Sequence, residues 1–121
     1  MSSKPRLKIR IAFEGGHIGP GKIRLLEKIM EKGSISGAAK EMGMTYRRAW
    51  HLIETLQSEL NVNVIETSVG GKKGGGANVT PYGRDLITLY RESEAHANAS
   101  STELLEKMDE FLSQKISLKG E

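Results

Sequence analysis

The chain has no cysteine, which excludes disulfides, thiolate metal sites and a cysteine nucleophile together. It also lacks any run near the roughly 18 apolar residues that a bilayer-spanning helix needs. The N-terminus, MSSKPRLKIRIAF, has positive charges but no long apolar stretch behind them, so it does not read as a secretory signal. Histidine is scarce: His17, His51 and His96 lie far apart and none has a second histidine one helical turn away. No metal site and no cofactor is expected. The absences together fit a soluble protein of the cytoplasm, with no membrane partner.

What remains is 121 residues, enough for one domain with a modest core. The net charge of +3 conceals an asymmetry. Residues 1–80 hold 13 Lys and Arg against 7 Glu, while residues 81–121 hold 5 against 8 acidic residues. A basic first part is suited to face a polyanion, and the acidic second part faces something else.

The most informative stretch runs from Ser34 to Leu60. Ser34 is suited to cap a short helix carrying Ile35, Ala38, Ala39 and Met42 at helical spacing. Gly43 ends it and Thr45 caps the next helix. There Ala49, Leu52, Ile53, Leu56 and Leu60 form one apolar stripe. Arg47 and His51 fall opposite that stripe, with Arg48 and Trp50 on its flanks. Tyr46, Arg47, Arg48 and His51 therefore crowd the first turns of the exposed side. Arg forks onto guanine or phosphate, and Tyr and His reach backbone or base edges. A short helix, a glycine turn and a basic second helix describe a helix-turn-helix, whose second helix enters the major groove. The plainer reading is solvated surface charge on a scaffold that never touches DNA.

The flanks complete a fold. Leu7, Ile9, Ile11 and Phe13 alternate with polar residues as in a strand, and Glu14-Gly15-Gly16 turns the chain toward a return at His17-Ile18. Gly19-Pro20-Gly21 starts a helix with Ile23, Leu26, Ile29 and Met30 in its stripe and Leu25 beside it. GHIGPGK, Gly16 to Lys22, matches part of a phosphate-binding loop, but Ile23 stands where Ser or Thr is required, and no nucleotide chemistry is expected. No nucleophile–base pair is visible either, so the chain is not read as an enzyme.

After Leu60, the β-branched run Val62 to Val69, the tip GGKKGGG and the return Val79-Thr80 describe a two-stranded wing, with Lys72 and Lys73 able to reach phosphates. Thr80-Pro81 then opens a helix over 81–113, or two helices broken near Ser100-Ser101. Unbroken, that helix would be about 50 Å long. Leu86, Tyr90, Ala97, Leu104, Met108 and Phe111 are candidates to meet a second copy, with small residues at Ser93, Ala97 and Ser100 for close approach. The alternative is a helix folded back on its own domain. Residues 114–121 read as a tail.

GPGKIRLLEKI, GSISGAAKEMGMTYRRAW and ETSVGGKKGGGANVTPYGRDLITLY resemble, in this order, the DNA-binding domain of the molybdate-responsive ModE-type transcription regulators, itself similar to the LysR type. The resemblance implies a mainly α (α+β) winged helix-turn-helix binding double-stranded operator DNA as a homodimer, joined through N-terminal strands and the long helix. It implies DNA contacts by Ser34, Ser36, Thr45, Tyr46, Arg47, Arg48, His51, Lys72 and Lys73. Trp50 reads as packing. The chain is too short for the molybdate-binding domains of full-length members, so molybdate sensing is not expected to transfer. An unknown small effector, an oxyanion among the candidates, is the remaining possible partner.

Overall fold

A computed structural model describes residues 4–68 and 76–114. The chain opens with β1 (Ile11–Phe13) and β2 (Gly16–Ile18), an antiparallel hairpin that pairs Ile11 with Ile18 and Ala12 with His17. It continues through α1 (Pro20–Lys32), α2 (Ile35–Glu41) and α3 (Tyr46–Leu60). The second hairpin follows, β3 (Ile65–Ser68) with β4 (Gly76–Val79), and then α4 (Pro81–Ser100) and α5 (Thr102–Ser113).

The ends of the helices are where the capping chemistry puts them. The hydroxyls of Ser34, Thr45 and Thr80 accept from the amides of Gly37, Arg48 and Gly83 at 3.0, 3.1 and 3.1 Å. Gly33 and Gly43 adopt positive φ, 75° and 72°, where a side chain would be strained. Asn61, at φ 58° and ψ 39°, ends α3 in the same conformation and donates its amide to the Gln57 carbonyl at 2.7 Å.

Helix α1 is the centre of the core. Ile23, Leu25, Leu26 and Ile29 are buried, with α2, α3, α4 and β4 packed around them. Leu25 is thus a core residue and not a neighbour of the stripe, while Met30 stays exposed. The helix is covered on several sides, so its buried face is wider than one stripe. Helix α3 contributes Ala49, Ile53 and Leu56 to the same core. Gln57 extends that anchorage, because its side-chain oxygen accepts from the amides of Val64 and Ile65 at 2.9 and 3.1 Å and so fixes where the wing leaves the helix. Gly83 lets α4 approach the base of the wing, since a Cβ there would stand 2.6 Å from Val79 and 2.8 Å from the Val64 carbonyl.

The long C-terminal helix is broken, as the second of the two sequence readings has it. Ser101 has φ −109° and ψ 14°, and its amide turns back to the Asn98 carbonyl. Ser100 and Thr102 donate their hydroxyls to carbonyls one turn earlier, His96 and Ala99. Such local bonds compete with the helical ladder, and a Ser-Ser-Thr run concentrates them.

One candidate for a contact between copies, Tyr90, is corrected by this packing. Tyr90 is 1% exposed and donates its hydroxyl to the Ile9 carbonyl at 2.7 Å. Leu86 packs on the core. Helix α4 packs on α1 and β4, which uses the Tyr90 side chain within the chain and leaves Leu86 half-buried. The N-terminal segment is held on the same helix. Asn98 accepts from the Leu7 amide at 2.7 Å and donates to the Leu7 carbonyl at 3.1 Å, as a neighbouring strand would. Leu7 and Ile9 lie inward with Lys8 and Arg10 outward, as the alternation predicts, but Ile11, expected on the same inward side, is exposed, and regular strand pairing begins only there.

Candidate nucleic-acid interface

The turn from Met42 to Thr45 sets α2 against α3. The Met44 amide donates to the Ala39 carbonyl at 2.9 Å, and the buried methyls of Ala38 and Ala39 allow the close crossing. With Ala49, Ile53 and Leu56 turned into the core, the opposite side of α3 is displayed. Tyr46, Arg47, Arg48 and His51 are all exposed on it, Tyr46 by 54%. Trp50 is half-buried against the core, which agrees with its reading as a packing residue.

Ser34, Ser36 and Thr45 lie at the starts of α2 and α3. Ser34 and Thr45 use an oxygen lone pair for capping, which leaves each hydroxyl hydrogen to donate outward. Ser36 is exposed. Lys72 and Lys73, with the tip 69–75 that carries them, lie outside the described residues. The structure thus brings seven of the nine sequence candidates onto two adjacent helix starts.

The electrostatics favour an anion there. Among the described residues no carboxylate pairs with Arg47 or Arg48. Glu41, at the end of α2, is drawn away by Lys32 at 2.9 Å and Lys28 at 3.0 Å. Lys32 first, and Lys28 with it, hold the Glu41 carboxyl below the usual carboxylate range.

The sequence reading missed a second cationic place beside α3. A cleft of about 400 Å³ lies between the first hairpin, the start of α1 and the Arg48 flank of α3. Arg10 donates to His17 Nε2 at 2.7 Å along its edge. The signal was present in the hairpin register, because pairing Ala12 with His17 brings Arg10 within diagonal reach. The GHIGPGK segment, by contrast, is no phosphate loop. Its first three residues are β2, α1 starts at Pro20, and Lys22 pairs with Glu59 at 3.7 Å. Among the described residues no group of three or more His, Asp or Glu could hold a metal, and no helix is long and apolar enough to cross a membrane.

Three packed helices, a tight turn between the second and third, and a two-stranded hairpin after them define a winged helix-turn-helix protein. The family described as bacterial regulatory helix-turn-helix protein, lysR family, matches residues 21–84. The chain belongs to that family, and so to a class of regulatory proteins and not of enzymes.

Over 96 residues it is 34% identical to the molybdenum transport protein ModE of Azotobacter vinelandii, covering 79% of this chain and 36% of that protein. It is 41% identical over 81 residues to the molybdenum-pterin-binding protein MopB of Rhodobacter capsulatus, 67% of this chain and 30% of that one. With the DNA-binding transcriptional dual regulator ModE of Escherichia coli (strain K12) it shares 44% over 71 residues, 59% and 27% of the two chains. The chain therefore spans about a third of the length of these relatives or less. Its fold is similar to that in the crystal structure of the CbnR_DBD-DNA complex, with TM-score 0.56, 17% identity, and 79% and 99% of the two chains covered. It is also similar to that in the BenM_DBD/benA site 1 DNA complex, with TM-score 0.51, 17% identity, and 79% and 97% covered.

Proposed function

We propose that the chain is a sequence-specific transcription regulator that binds operator DNA as a homodimer in the cytoplasm. The observation that carries this is the display of Tyr46, Arg47, Arg48 and His51 from the first turns of a helix whose other side is locked into the core. A rigid support matters, because base readout needs donors held in fixed register against a groove edge. In this reading α3 enters the major groove with Tyr46, Arg47, Arg48 and His51 toward base edges. The hydroxyls of Ser34, Ser36 and Thr45 meet backbone phosphates, and Lys72 and Lys73 of the wing touch the flanking strand. Two of the relatives are named for molybdenum transport or as a DNA-binding regulator, and two fold neighbours were solved as DNA complexes, which supports the same reading.

The second copy meets the chain beyond Ala97. Helix α5 has no buried residue, and Leu104, Met108 and Phe111 are exposed there by 67%, 47% and 71%. A small anionic effector finds its cations in a trough of about 490 Å³ lined by Arg6, Lys8 and Arg24 between the N-terminal segment, α1 and α4.

The deciding experiment is selection of bound duplexes from a random pool, with sedimentation of the same sample. The expected result is an inverted repeat with half-sites about one turn, roughly 34 Å, apart and a dimer in solution. Recovery of no motif, with binding that vanishes at moderate salt, would leave a nonspecific basic surface and bring forward a protein partner for the winged helix.

A further inference from the structure

The cleft between the first hairpin and α3 differs from the rest of the candidate interface because it joins a helix-turn-helix cation, Arg48, to cations from outside it. Arg10 precedes β1, His17 lies in β2, and Arg48 stands at the third position of α3, yet all three line one cleft. The guanidinium of Arg10 donates through Nη2 to His17 Nε2 at 2.7 Å. An arginine has only donors, so in this contact His17 Nε2 is the acceptor and the ring proton sits on Nδ1. The imidazole thus holds Arg10 at the cleft without neutralising it.

Among the described residues neither Arg10 nor Arg48 has a carboxylate partner, and the nearby Glu59 is already engaged by Lys22. Two guanidinium groups facing one small space repel each other, and an anion entering it reverses the sign of that interaction. The start of α1 borders the same cleft with no side-chain cap and no acidic residue in its first turn, and its Lys22 adds a cation to the lining. The cleft reaches the flank of α3 at Arg48, the residue next to Arg47.

We propose that this cleft seats a phosphate of the DNA backbone at the edge of the major groove, with Arg10 and Arg48 as its ligands and His17 as the positioning residue for Arg10. The proposal rests on the DNA-binding reading and refines it: Arg48 becomes a backbone contact, and the hairpin becomes part of the nucleic-acid surface.

The test is binding of the full chain to a fixed duplex and to a scrambled duplex of equal length, each over a range of salt. Neutralising Arg10 in Arg10→Gln is expected to flatten the slope of log affinity against log salt by about 0.9 on both duplexes, because one phosphate contact is lost. The ratio between the duplexes stays as it was. Arg10→Lys, which keeps the charge, retains the slope. His17→Ala weakens binding in the wild-type background and has no further effect in Arg10→Gln, whereas a merely structural role for His17 would show in both backgrounds.

An unchanged slope in Arg10→Gln, with steep salt dependence in the wild type, overturns the cleft and leaves the DNA-binding reading intact. An effect of His17→Ala that persists in Arg10→Gln overturns the positioning role. A wild-type chain that binds neither duplex removes both readings.

Discussion

Arg47 and Arg48 are neighbours in sequence with separate tasks in space. Arg47 lies opposite the buried stripe of α3, on the side proposed to meet a groove edge, and Arg48 lies on the flank that lines the hairpin cleft. Arg47→Ala is therefore expected to cost about 1–3 kcal/mol of binding on the selected duplex and to relax preference at one or two base pairs. Equal weakening on every duplex in the same titrations would demote Arg47 to a phosphate contact. Thr80 shows the same economy at the structural end of the fold. Its buried hydroxyl donates to the Asn63 carbonyl at 2.9 Å and accepts from the Gly83 amide at 3.1 Å, so one side chain caps α4 and ties it to the wing. Thr80→Val keeps the shape and removes both bonds. Thermal melting is expected to show a loss of about 1–2 kcal/mol, and a loss too small to measure would mean that water replaces the bonds.

Helices α1 and α4 are joined by charge as well as by packing. Arg91 grips Glu27 with two bonds, at 2.9 and 2.8 Å, and reaches Glu94 at 2.7 Å. The Arg91 hydrogen bonds, against an opposing burial cost, hold the Glu27 carboxyl below its ordinary 4.5, and the same contact raises the Arg91 guanidinium. A carboxyl whose folded pKa is depressed stabilises the fold above the unfolded pKa and loses that contribution as pH falls through the folded value. The thermal midpoint is thus expected to fall below about pH 4.5 more steeply in the wild type than in Glu27→Gln, which lacks the titrating group. Both partners are partly exposed, so the difference is modest. Parallel acid limbs in the two proteins would show that the pair adds nothing to stability. The break at Ser101 belongs to this scale too, since it falls at three adjacent hydroxylated residues, two of whose side chains bond local carbonyls.

The whole molecule divides its apolar surface unequally. The three helices, the wing and the first turns of α4 bury theirs together, and α5 buries none. Leu104, Met108 and Phe111 on α5 form a face that a second copy can cover through the same face of its own, as two-fold symmetry requires. Leu104→Glu with Phe111→Glu is expected to convert a dimer to a monomer in sedimentation while leaving the melting of the helix-turn-helix core unchanged, because neither residue touches that core. An unchanged mass would place the contact between copies elsewhere, with the N-terminal segment the next surface to alter.

The local grammar of this protein was legible before any coordinates. Ser34, Thr45 and Thr80 cap helices because a hydroxyl at the right offset satisfies an open amide, and Gly33 and Gly43 end them because positive φ favours a residue without Cβ. The spacing of Ala49, Ile53 and Leu56 already assigned the inner side of α3, and with it the outer side that carries Tyr46, Arg47 and His51. These are interactions within about one helical turn, and periodicity reports them directly. Which partner each surface meets was not so available. Apolar spacing alone could not tell that Tyr90 turns to Ile9 while Phe111 stays exposed, because both satisfy the same helical period. Nor could it bring Arg10, His17 and Arg48 to one cleft or lock Arg91 onto Glu27, 64 positions away. Those outcomes depend on how the elements dock. The sequence by itself determined the elements and their faces; only the tertiary structure decided which faces are buried within the chain and which remain exposed, because docking depends on the summed fit of many side chains.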